Sequence, residues 1–426
     1  MKDLLQVIDR IERQFRESAT LKTLPNGLHL IVEQDPKAPS LFKGDLWVDF
    51  GSKDEKPEHE GVAHFIEHIG FNGTNKYPSK AVVEEAGKKL GQQLNANTNG
   101  YRIMFPFKGL DTDLERTIDI ISQLAFAQTF PESSLDHEKK VVINEMRMYR
   151  SNPYTIINEW ITGNFTRGFP LSHPILGNET TVNALRIEDL INYRDSFMHP
   201  ARGYLTLVGD LNTQELKAVE DLVSEFKKGP EIQETEVPEE TQITEREVHT
   251  QSFSGINRAQ IRYLFRTPKV DHENNTSLSL ASNVLGGGTD SRLYRALRED
   301  NGLTYSVSVD NSTDEYSGIF SISFDVAPEE VPKAIQLVDA ELRKLPDKGM
   351  EQKHFERYLR QTRIGILSDS YGAGQAADYL FATHKRGFNH LDRARGLVSL
   401  NKQELQRVSA QYLQPKQSML FIALPQ

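Results

Sequence analysis

The sequence contains no cysteine, no long apolar run and no excess of basic residues, and each absence excludes a class of protein. Without cysteine, disulfide bonds, thiol catalysis and cysteine-ligated zinc are excluded. Because no run of about 18 apolar residues occurs, we expect no membrane-spanning helix. The net charge of −10 argues against a nucleic-acid or anionic-membrane partner, since either would need a basic face.

The first 20 residues lack the features of common targeting segments. They contain no uninterrupted apolar run of about seven residues, which a secretory signal requires. The acidic residues Asp3, Asp9, Glu12 and Glu17 argue against a mitochondrial presequence, which is poor in acids. A cytoplasmic location is therefore the default expectation.

Two parts of the chain repeat each other. Residues 185–209 align without a gap with residues 400–424, and residues 113–124 align with residues 330–342. The separation is about the same for both pairs, as an internal duplication would leave it. Since 426 residues exceed one ordinary core, the sequence predicts an α+β protein of two homologous, duplicated domains.

A segment poor in apolar residues separates the two halves. Residues 227–247 are rich in Glu, Thr and Pro, a composition that suits a solvated linker. The predicted organisation is therefore an N-terminal domain (1–229), an acidic linker (230–247) and a C-terminal domain (248–426). The first domain shows a hairpin signal at Asn26-Gly27. Its predicted strands are 41–52 and 202–211, and its predicted helices are 60–70, 79–90, 111–129, 132–149, 154–166 and 184–198.

Residues 61–74, GVAHFIEHIGFNGT, place three polar side chains in an apolar helical stretch. His64 and His68 are one helical turn apart on one face, close enough for both imidazoles to bind one zinc ion. Glu67 lies beside them, giving HxxEH, the reverse of the zincin motif. The plainer interpretation is a pair of solvent-facing histidines. The corresponding stretch of the second half, 278–291, has neither His nor Glu, so the two halves differ in chemistry.

A third zinc ligand is expected from another helix. In residues 133–153, Glu138 and Glu145 are seven apart and share one stripe of a largely apolar helix. Burying unpaired carboxylates is costly, and a metal ion would compensate their charge. The alternative is a helix with ordinary salt bridges at its rim.

These motifs resemble the pitrilysin/insulysin family of zinc metallopeptidases, the inverzincins. The resemblance rests on HFIEH and on a glutamate in the context VVINEMRMYRSNP, and it extends over nearly the whole chain. It is closest to the short branch that includes the β subunit of mitochondrial processing peptidase and its bacterial relatives. The resemblance implies one zinc per chain bound by His64, His68 and Glu145, with Glu67 as general base and Glu138 as a supporting catalytic glutamate.

The resemblance also implies the fold and part of the substrate site. Each domain would be a mostly antiparallel sheet covered by helices, and the two would form half of a clam-shell chamber. In LNANTNGY (94–101), Asn95 and Ala96 would lie on an edge strand that pairs with the substrate backbone. The chain departs from the family at Asn72, where many relatives have Lys or Arg, and no loss of chemistry follows from that.

A second substrate-binding element is implied in SRLYRALREDNGLTYSVSV (291–309). Its pattern predicts a helix to Arg298, a turn at 300–302 and a strand through Tyr305. In the family, an arginine and a tyrosine at this spacing hold the substrate, and both can donate hydrogen bonds to a peptide carbonyl and its oxyanion. Longer family members carry this pair in their last domain, so Arg298 and Tyr305 would act on the zinc site of a partner chain.

The sequence therefore predicts a zinc-dependent endopeptidase that hydrolyses peptides or unfolded segments inside a closed dimeric chamber. A homodimer is the simpler expectation, because both half-sites are present; a heterodimer with a degenerate homologue stays open. Two alternatives also stay open. One is a non-catalytic subunit of a larger complex, and the other is a subunit that binds zinc and peptide but is inactive without its partner.

Overall fold

The structure is a computed structural model, and it describes residues 2–232, 235, 241–347, 350 and 352–426. The helices are α1 Lys2–Ser18, α2 Val62–Gly70, α3 Lys80–Lys89, α4 Leu114–Phe126, α5 Glu132–Arg150, α6 Pro153–Phe165, α7 Glu179–Ala184, α8 Ile187–Phe197, α9 Thr213–Ser224, α10 Asn274–Gly286, α11 Arg292–Tyr294, α12 Val331–Asp347, α13 Gln352–Ser368, α14 Gln375–Arg386, α15 His390–Ser399 and α16 Lys402–Tyr412. The strands are β1 Ala19–Thr23, β2 His29–Gln34, β3 Leu41–Val48, β4 Asn97–Thr98, β5 Ile103–Leu110, β6 Gly203–Gly209, β7 Glu247–Phe253, β8 Ala259–Thr267, β9 Val307–Thr313, β10 Gly318–Val326 and β11 Ser418–Pro425. Within this part of the chain, no helix combines the length and the apolarity needed to cross a bilayer.

The strands form two sheets that repeat one order. The first sheet runs β1-β2-β6-β3-β5-β4 and the second runs β7-β11-β8-β10-β9. In both sheets the pairs are antiparallel except one, β2 with β6 in the first and β7 with β11 in the second. Apart from β1, each strand of the first sheet has a counterpart in the second, which confirms the predicted α+β fold of two duplicated domains.

The strongest sequence repeat is also a structural repeat. Helix α8 leads through a 3₁₀ turn at Pro200–Arg202 into β6, and α16 leads through a 3₁₀ turn at Pro415–Gln417 into β11. In both units the helix packs on the sheet that its own strand enters, through Leu190 and Leu405. The gapless alignment therefore reflects a conserved spacing between one helix and one strand.

The predicted elements of the first half are present, and helices α1, α7 and α9 were not among them. The hairpin forms between β1 and β2, and Gly27 in its turn has φ +89°, which favours glycine. Helix α9 was not predicted, because it begins directly after the strand. Its signal was local: the Asn212 side chain caps the first turn, and Val219 and Val223 are buried.

Helix α1 was assigned to the N-terminal domain, but it packs on the core of the second domain. Its apolar stripe includes Ile8 and Phe15, which are buried in the core of the second sheet with Leu4 and Ile11 packed against that core. The stripe needs an apolar surface to cover, and α14 and α15 provide it. The predicted boundaries at 229/230 and 247/248 stay a prediction, and of the linker, residues 233, 234 and 236–240 lie outside the described residues.

Each sheet is covered on one face by a helix from the other half. Ile157, Ile161 and Phe165 of α6 pack on Phe421 and its neighbours in the second sheet. The back of the first sheet is covered in turn by α14, whose Ala377 and Phe381 contact Ile31, Tyr204 and Val208. This exchange of helices joins the two domains into one packed body.

A buried carboxylate caps the exchanged helix α14 from the first sheet. Glu33 of β2 accepts hydrogen bonds from the backbone N–H groups of Gly374 at 3.0 Å and Ala377 at 2.9 Å. Gly374 has no side chain with which to cap the helix itself. Glu33 therefore fulfils the role of an N-cap residue across the domain junction.

We expect Glu33→Ala to lower the free energy of unfolding by about 1–3 kcal/mol, because a buried and a partly buried backbone donor lose their acceptor. Glu33→Gln should lose less, since its amide oxygen can keep one of the two bonds. Chemical denaturation checks both variants, with Glu17→Ala on the exposed side of α1 as the matched control, expected within about 0.5 kcal/mol of the parent. An equal loss in Glu33→Ala and Glu17→Ala would contradict the proposed cap.

Candidate metal centre

Helix α2 is buried on almost every side, and one stripe of it is polar. Val62, Ala63, Phe65, Ile66 and Ile69 are fully buried in the core of the first domain. These apolar residues fix the rotation of the helix about its axis. The remaining stripe of His64, Glu67 and His68 then faces α5 and β4, because positions three and four apart share a face.

Helix α5 crosses α2 and presents two carboxylates to this stripe. Val142, Ile143 and Met146 anchor α5 in the same core as α2. Glu138 is buried with 2% of its surface exposed, and Glu145 is partly exposed. Since the two glutamates are seven residues apart, both lie on the side of α5 that meets α2.

The two helices bring His64, His68 and Glu145 together. One ligand atom from each lies within 4.8 Å of the other two, and the three form a group able to hold a metal ion. The Oε2 atom of Glu145 is 3.1 Å from Nε2 of His68 and 3.8 Å from Nε2 of His64. Ligands on tetrahedral zinc, bound at about 2.0–2.1 Å, would be roughly 3.4 Å apart, which lies between these distances.

The donor set fits a catalytic zinc ion. Two imidazoles and one carboxylate are the protein ligands of one common class of zinc hydrolase, which keeps a fourth position for water or substrate. Oε2 of Glu145 is buried, yet it makes no well-directed hydrogen bond among the residues described. A buried carboxylate oxygen that faces two imidazoles without such a bond is well suited to bind a cation.

Burial and charge set the protonation of the two histidines. Burial, together with the neighbouring His68, lowers the pKa of His64 to about 3, so this imidazole is neutral near pH 7. Burial opposes the charged form of His68 as well, but Glu138, Glu67 and Glu145 outweigh it and raise its pKa. A metal ion binds the neutral imidazole, so acid, which protonates His68, would weaken its binding.

Glu67 lies beside the ligands and is held by a residue that the sequence analysis missed. Thr98 of β4 donates a hydrogen bond from Oγ1 to Oε2 of Glu67 at 2.6 Å. Burial raises the pKa of Glu67, and the bond from Thr98 and the charge of His68 oppose that rise. Thr98 stands in the same LNANTNGY stretch as Asn95, but no spacing rule links it to a glutamate 31 residues earlier.

Glu138 lies beside His68 but is not one of the three converging residues. Its Oε2 atom is 3.8 Å from Nδ1 of His68, on the opposite edge of the ring from Glu145. Burial would raise the pKa of Glu138, but His68, Asn72 and Lys80 outweigh it and lower the pKa. An ionised carboxylate behind a ligating imidazole fixes its tautomer and orientation.

An open groove runs from this centre along α3. Its volume is about 900 Å³, and Glu67, His68, Phe71 and Asn95 are among the residues that line it. Strand β4 forms the edge of the first sheet, but it covers only Asn97–Thr98.

The prediction that Asn95 and Ala96 lie on this edge strand is therefore wrong, since both precede it. In the register of β4 with β5, Asn97 is opposite Met104, so Asn95 would be opposite Pro106. Proline has no backbone N–H to donate, which explains why the ladder ends.

Arg298 and Tyr305 contact each other, and along the sequence both lie far from the residues of the metal centre. The guanidinium of Arg298 donates to the backbone oxygen of Tyr305 at 2.6 Å and lies over its ring at 4.5 Å. None of the hydrogen bonds, ion pairs or ring contacts described for the two reaches α2 or α5. The prediction of a strand through Tyr305 is wrong: β9 begins at Val307, and Tyr305 is 77% exposed.

The helix before this pair also differs from the prediction. It is α-helical over Arg292–Tyr294 and continues as a π-helical turn over Arg295–Glu299. Such wider turns occur often at functional sites, where they redirect a side chain. Here the turn contains Arg298.

Comparisons with protein families match most of the chain. Residues 30–179 match the family described as insulinase (peptidase family M16). Residues 184–362 match a domain described as the peptidase M16 inactive domain. The first match contains His64, Glu67, His68 and Glu145, whereas the second contains Arg298.

Individual relatives agree with these matches. A protein of Bacillus subtilis (strain 168) named an uncharacterized zinc protease is 29% identical over 348 residues, or 81% of this chain and 83% of that protein. A probable mitochondrial-processing peptidase subunit beta of Arabidopsis thaliana is 28% identical over 209 residues, 49% of this chain and 39% of that protein. A solved protease structure from Helicobacter pylori shares the fold with a TM-score of 0.82 and 18% identity, covering 96% of this chain and 99% of that chain.

The ligand set can be tested by measuring metal content. We expect His64→Ala, His68→Ala and Glu145→Ala each to weaken zinc binding by more than the ~10–100-fold typical for loss of a residue that only supports a ligand. Glu67→Gln should keep zinc. The measurement is the zinc-to-protein ratio by elemental mass spectrometry after dialysis against a competing chelator. His137→Ala, on an exposed turn of α5, is the matched control; full zinc content in Glu145→Ala would refute this ligand set.

Proposed function

The chain belongs to the insulinase (M16) family of peptidases, and we propose that it is a zinc-dependent endopeptidase. Its substrates would be peptides or unfolded segments. The observation that carries the proposal is the convergence of His64, His68 and Glu145 within 4.8 Å, beside the buried carboxylate of Glu67. Relatives named as zinc proteases support the same activity.

Glu67 is the proposed general base. Its carboxylate is next to the ligand group and 8% exposed, so it can exchange a proton with a water that enters from the groove. Thr98 binds Oε2 and so fixes the plane of the carboxylate. Glu67 would accept the proton of the attacking water and then give it to the leaving amine.

The three ligand residues would hold the zinc ion beside Glu67. A zinc ion bound by His64, His68 and Glu145 would supply Lewis-acid activation of the water and of the peptide carbonyl. Glu138 would keep the ring of His68 in one orientation through Nδ1. The groove beside the centre would admit an extended chain and exclude a folded domain.

The edge of the first sheet is the proposed guide for the peptide backbone. Strand β4 is the last strand of that sheet, and Asn95 lines the groove directly before it. A substrate added as a further strand would bind through main-chain hydrogen bonds and so tolerate varied side chains. Asn95 and Ala96 would contact the substrate just beyond the paired residues.

We propose that the site is completed by a second chain. Arg298 and Tyr305 are preorganised by their mutual contact, and Tyr305 is exposed, as a group that serves a partner would be. Placed over the centre of the partner, they would donate hydrogen bonds to the peptide carbonyl and its oxyanion. A homodimer enclosing a chamber is the simplest such assembly, since each chain carries both half-sites.

Peptidase activity can be tested with an unstructured peptide library analysed by mass spectrometry. We expect the wild type to cleave and Glu67→Gln to be slower by about 10²–10⁴-fold, the usual effect of losing a general base. Glu85→Gln, at an exposed position of α3, is the matched control and should cleave as the wild type does.

Two other results of this cleavage experiment would change the proposed mechanism or function. Equal cleavage by Glu67→Gln would reject Glu67 as the base. Absence of cleavage by a zinc-loaded wild type would favour a subunit that needs a partner.

The shared site can be tested by mixing two inactive variants. Glu67→Gln lacks the base and Arg298→Ala lacks the substrate contact, so a mixed dimer of the two should regain one complete site. After subunit exchange verified by native mass spectrometry, we expect about a quarter of wild-type activity, because half of the dimers are mixed and each has one intact site of two. No recovery despite exchange would contradict a site shared between chains.

A further inference from the structure

The start of α2 is capped by a carboxylate that lies outside the helix. Gly61 precedes the first turn and has no side chain with which to cap it. Glu55 provides the cap: its oxygens accept from the backbone N–H groups of Gly61 at 2.7 Å and Ala63 at 2.8 Å. The Glu55 side chain is fully buried, so water could not replace it without opening the structure.

A histidine from a distant loop holds this carboxylate. Nε2 of His173, which lies between α6 and α7, is 2.8 Å from Oε2 of Glu55. Burial raises the pKa of Glu55, and the bonds from His173, Ala63 and Gly61 oppose that rise. The contact with His173 therefore favours the charged form of Glu55, in which both oxygens can accept hydrogen bonds.

The loop that carries His173 also touches the backbone at the helix start. A Cβ on Gly61, whose φ is +92°, would lie 2.5 Å from the carbonyl oxygen of Leu176. A Cβ on Gly177 would lie 2.1 Å from the carbonyl oxygen of Glu60. Both contacts are too close for any side chain, so glycine at both positions lets the two backbones meet directly.

The capped turn contains the first of the proposed metal ligands. His64 is the third residue of α2 and follows Ala63, whose N–H is bound by Glu55. If the first turn frayed, the imidazole of His64 would move, whereas His68 is a turn further on and Glu145 is on another helix. The position of His64 relative to Glu145 thus depends on the cap.

We propose that Glu55 and His173 are positioning residues of the metal centre, and that they set its geometry by fixing the first turn of α2. Neither residue touches the metal ligands, and the inference rests on the proposed zinc function. The pair acts as an outer support of His64, just as Glu138 supports His68. It does so through the helix backbone and not through the imidazole.

The test is a titration with cobalt(II), whose visible absorption reports both occupancy and coordination geometry. We expect Glu55→Gln and His173→Leu to bind cobalt about 10–100-fold more weakly than the wild type and to change the band shape. His173→Gln retains an amide donor for Glu55 and should restore most of the affinity and the wild-type spectrum. If Glu55→Gln does not fold, the two His173 variants decide, because His173 makes no described contact with α2 itself.

A matched control separates positioning from stability. Asn212→Ala removes the cap of α9, which lies far from α2 in the chain, and should lower the melting temperature by about 1–3 °C. Its cobalt affinity and spectrum should stay those of the wild type. A similar loss of affinity in Asn212→Ala would show that general stability is responsible and would overturn the proposal.

The remaining outcomes separate the positioning role of Glu55 and His173 from the proposed peptidase activity. Wild-type affinity and spectrum in both Glu55→Gln and His173→Leu would overturn the positioning role and leave the proposed peptidase intact. A wild type that binds no cobalt would overturn both. Failure of peptide cleavage with normal cobalt binding would count against the peptidase alone.

Discussion

The candidate site depends on the crossing of α2 with α5 inside the core of the first domain. Helix α2 buries five apolar side chains, so its rotation and depth are fixed by packing and not by the polar residues. The same packing leaves His64, Glu67 and His68 on one stripe, opposite Glu138 and Glu145. Burying a cluster of two imidazoles and several carboxylates in an apolar core is costly. A bound cation is the simplest compensation for the negative charge of the carboxylates.

The two domains support this crossing from outside. Helix α6 follows α5 directly and packs on the second sheet, while α14 covers the back of the first sheet. The capping of α14 by Glu33 adds hydrogen bonds between the two domains at the same junction. The sheet that carries β4 and the helix that carries Glu145 are therefore both braced by the second domain, although the three converging residues His64, His68 and Glu145 all belong to the first.

Duplication produced one scaffold with two kinds of chemistry. The strand order and the helix-to-strand unit ending in β6 and β11 are alike in both halves. The helix equivalent to α2 is α10, which lacks His and Glu at the matching positions, whereas the second half carries the contact of Arg298 with Tyr305. The family comparison separates the halves in the same way, as a peptidase domain and a domain described as inactive.

The sequence by itself determined the duplication and the α+β fold, and it singled out His64, His68 and two glutamates, because each leaves a periodic or spaced pattern along the chain. Spacing alone did not choose between Glu138 and Glu145; the family resemblance implied Glu145, and the structure brings Glu145 to the two histidines. It did not determine the roles of Thr98, Glu55 or His173, the ends of β4 and β9, or the packing of α1 on the second domain. Those features arise from contacts between residues far apart in sequence, such as Thr98 with Glu67 and His173 with Glu55. Only the tertiary structure decides them, because hydrogen bonds and backbone contacts at long sequence separation follow no local spacing.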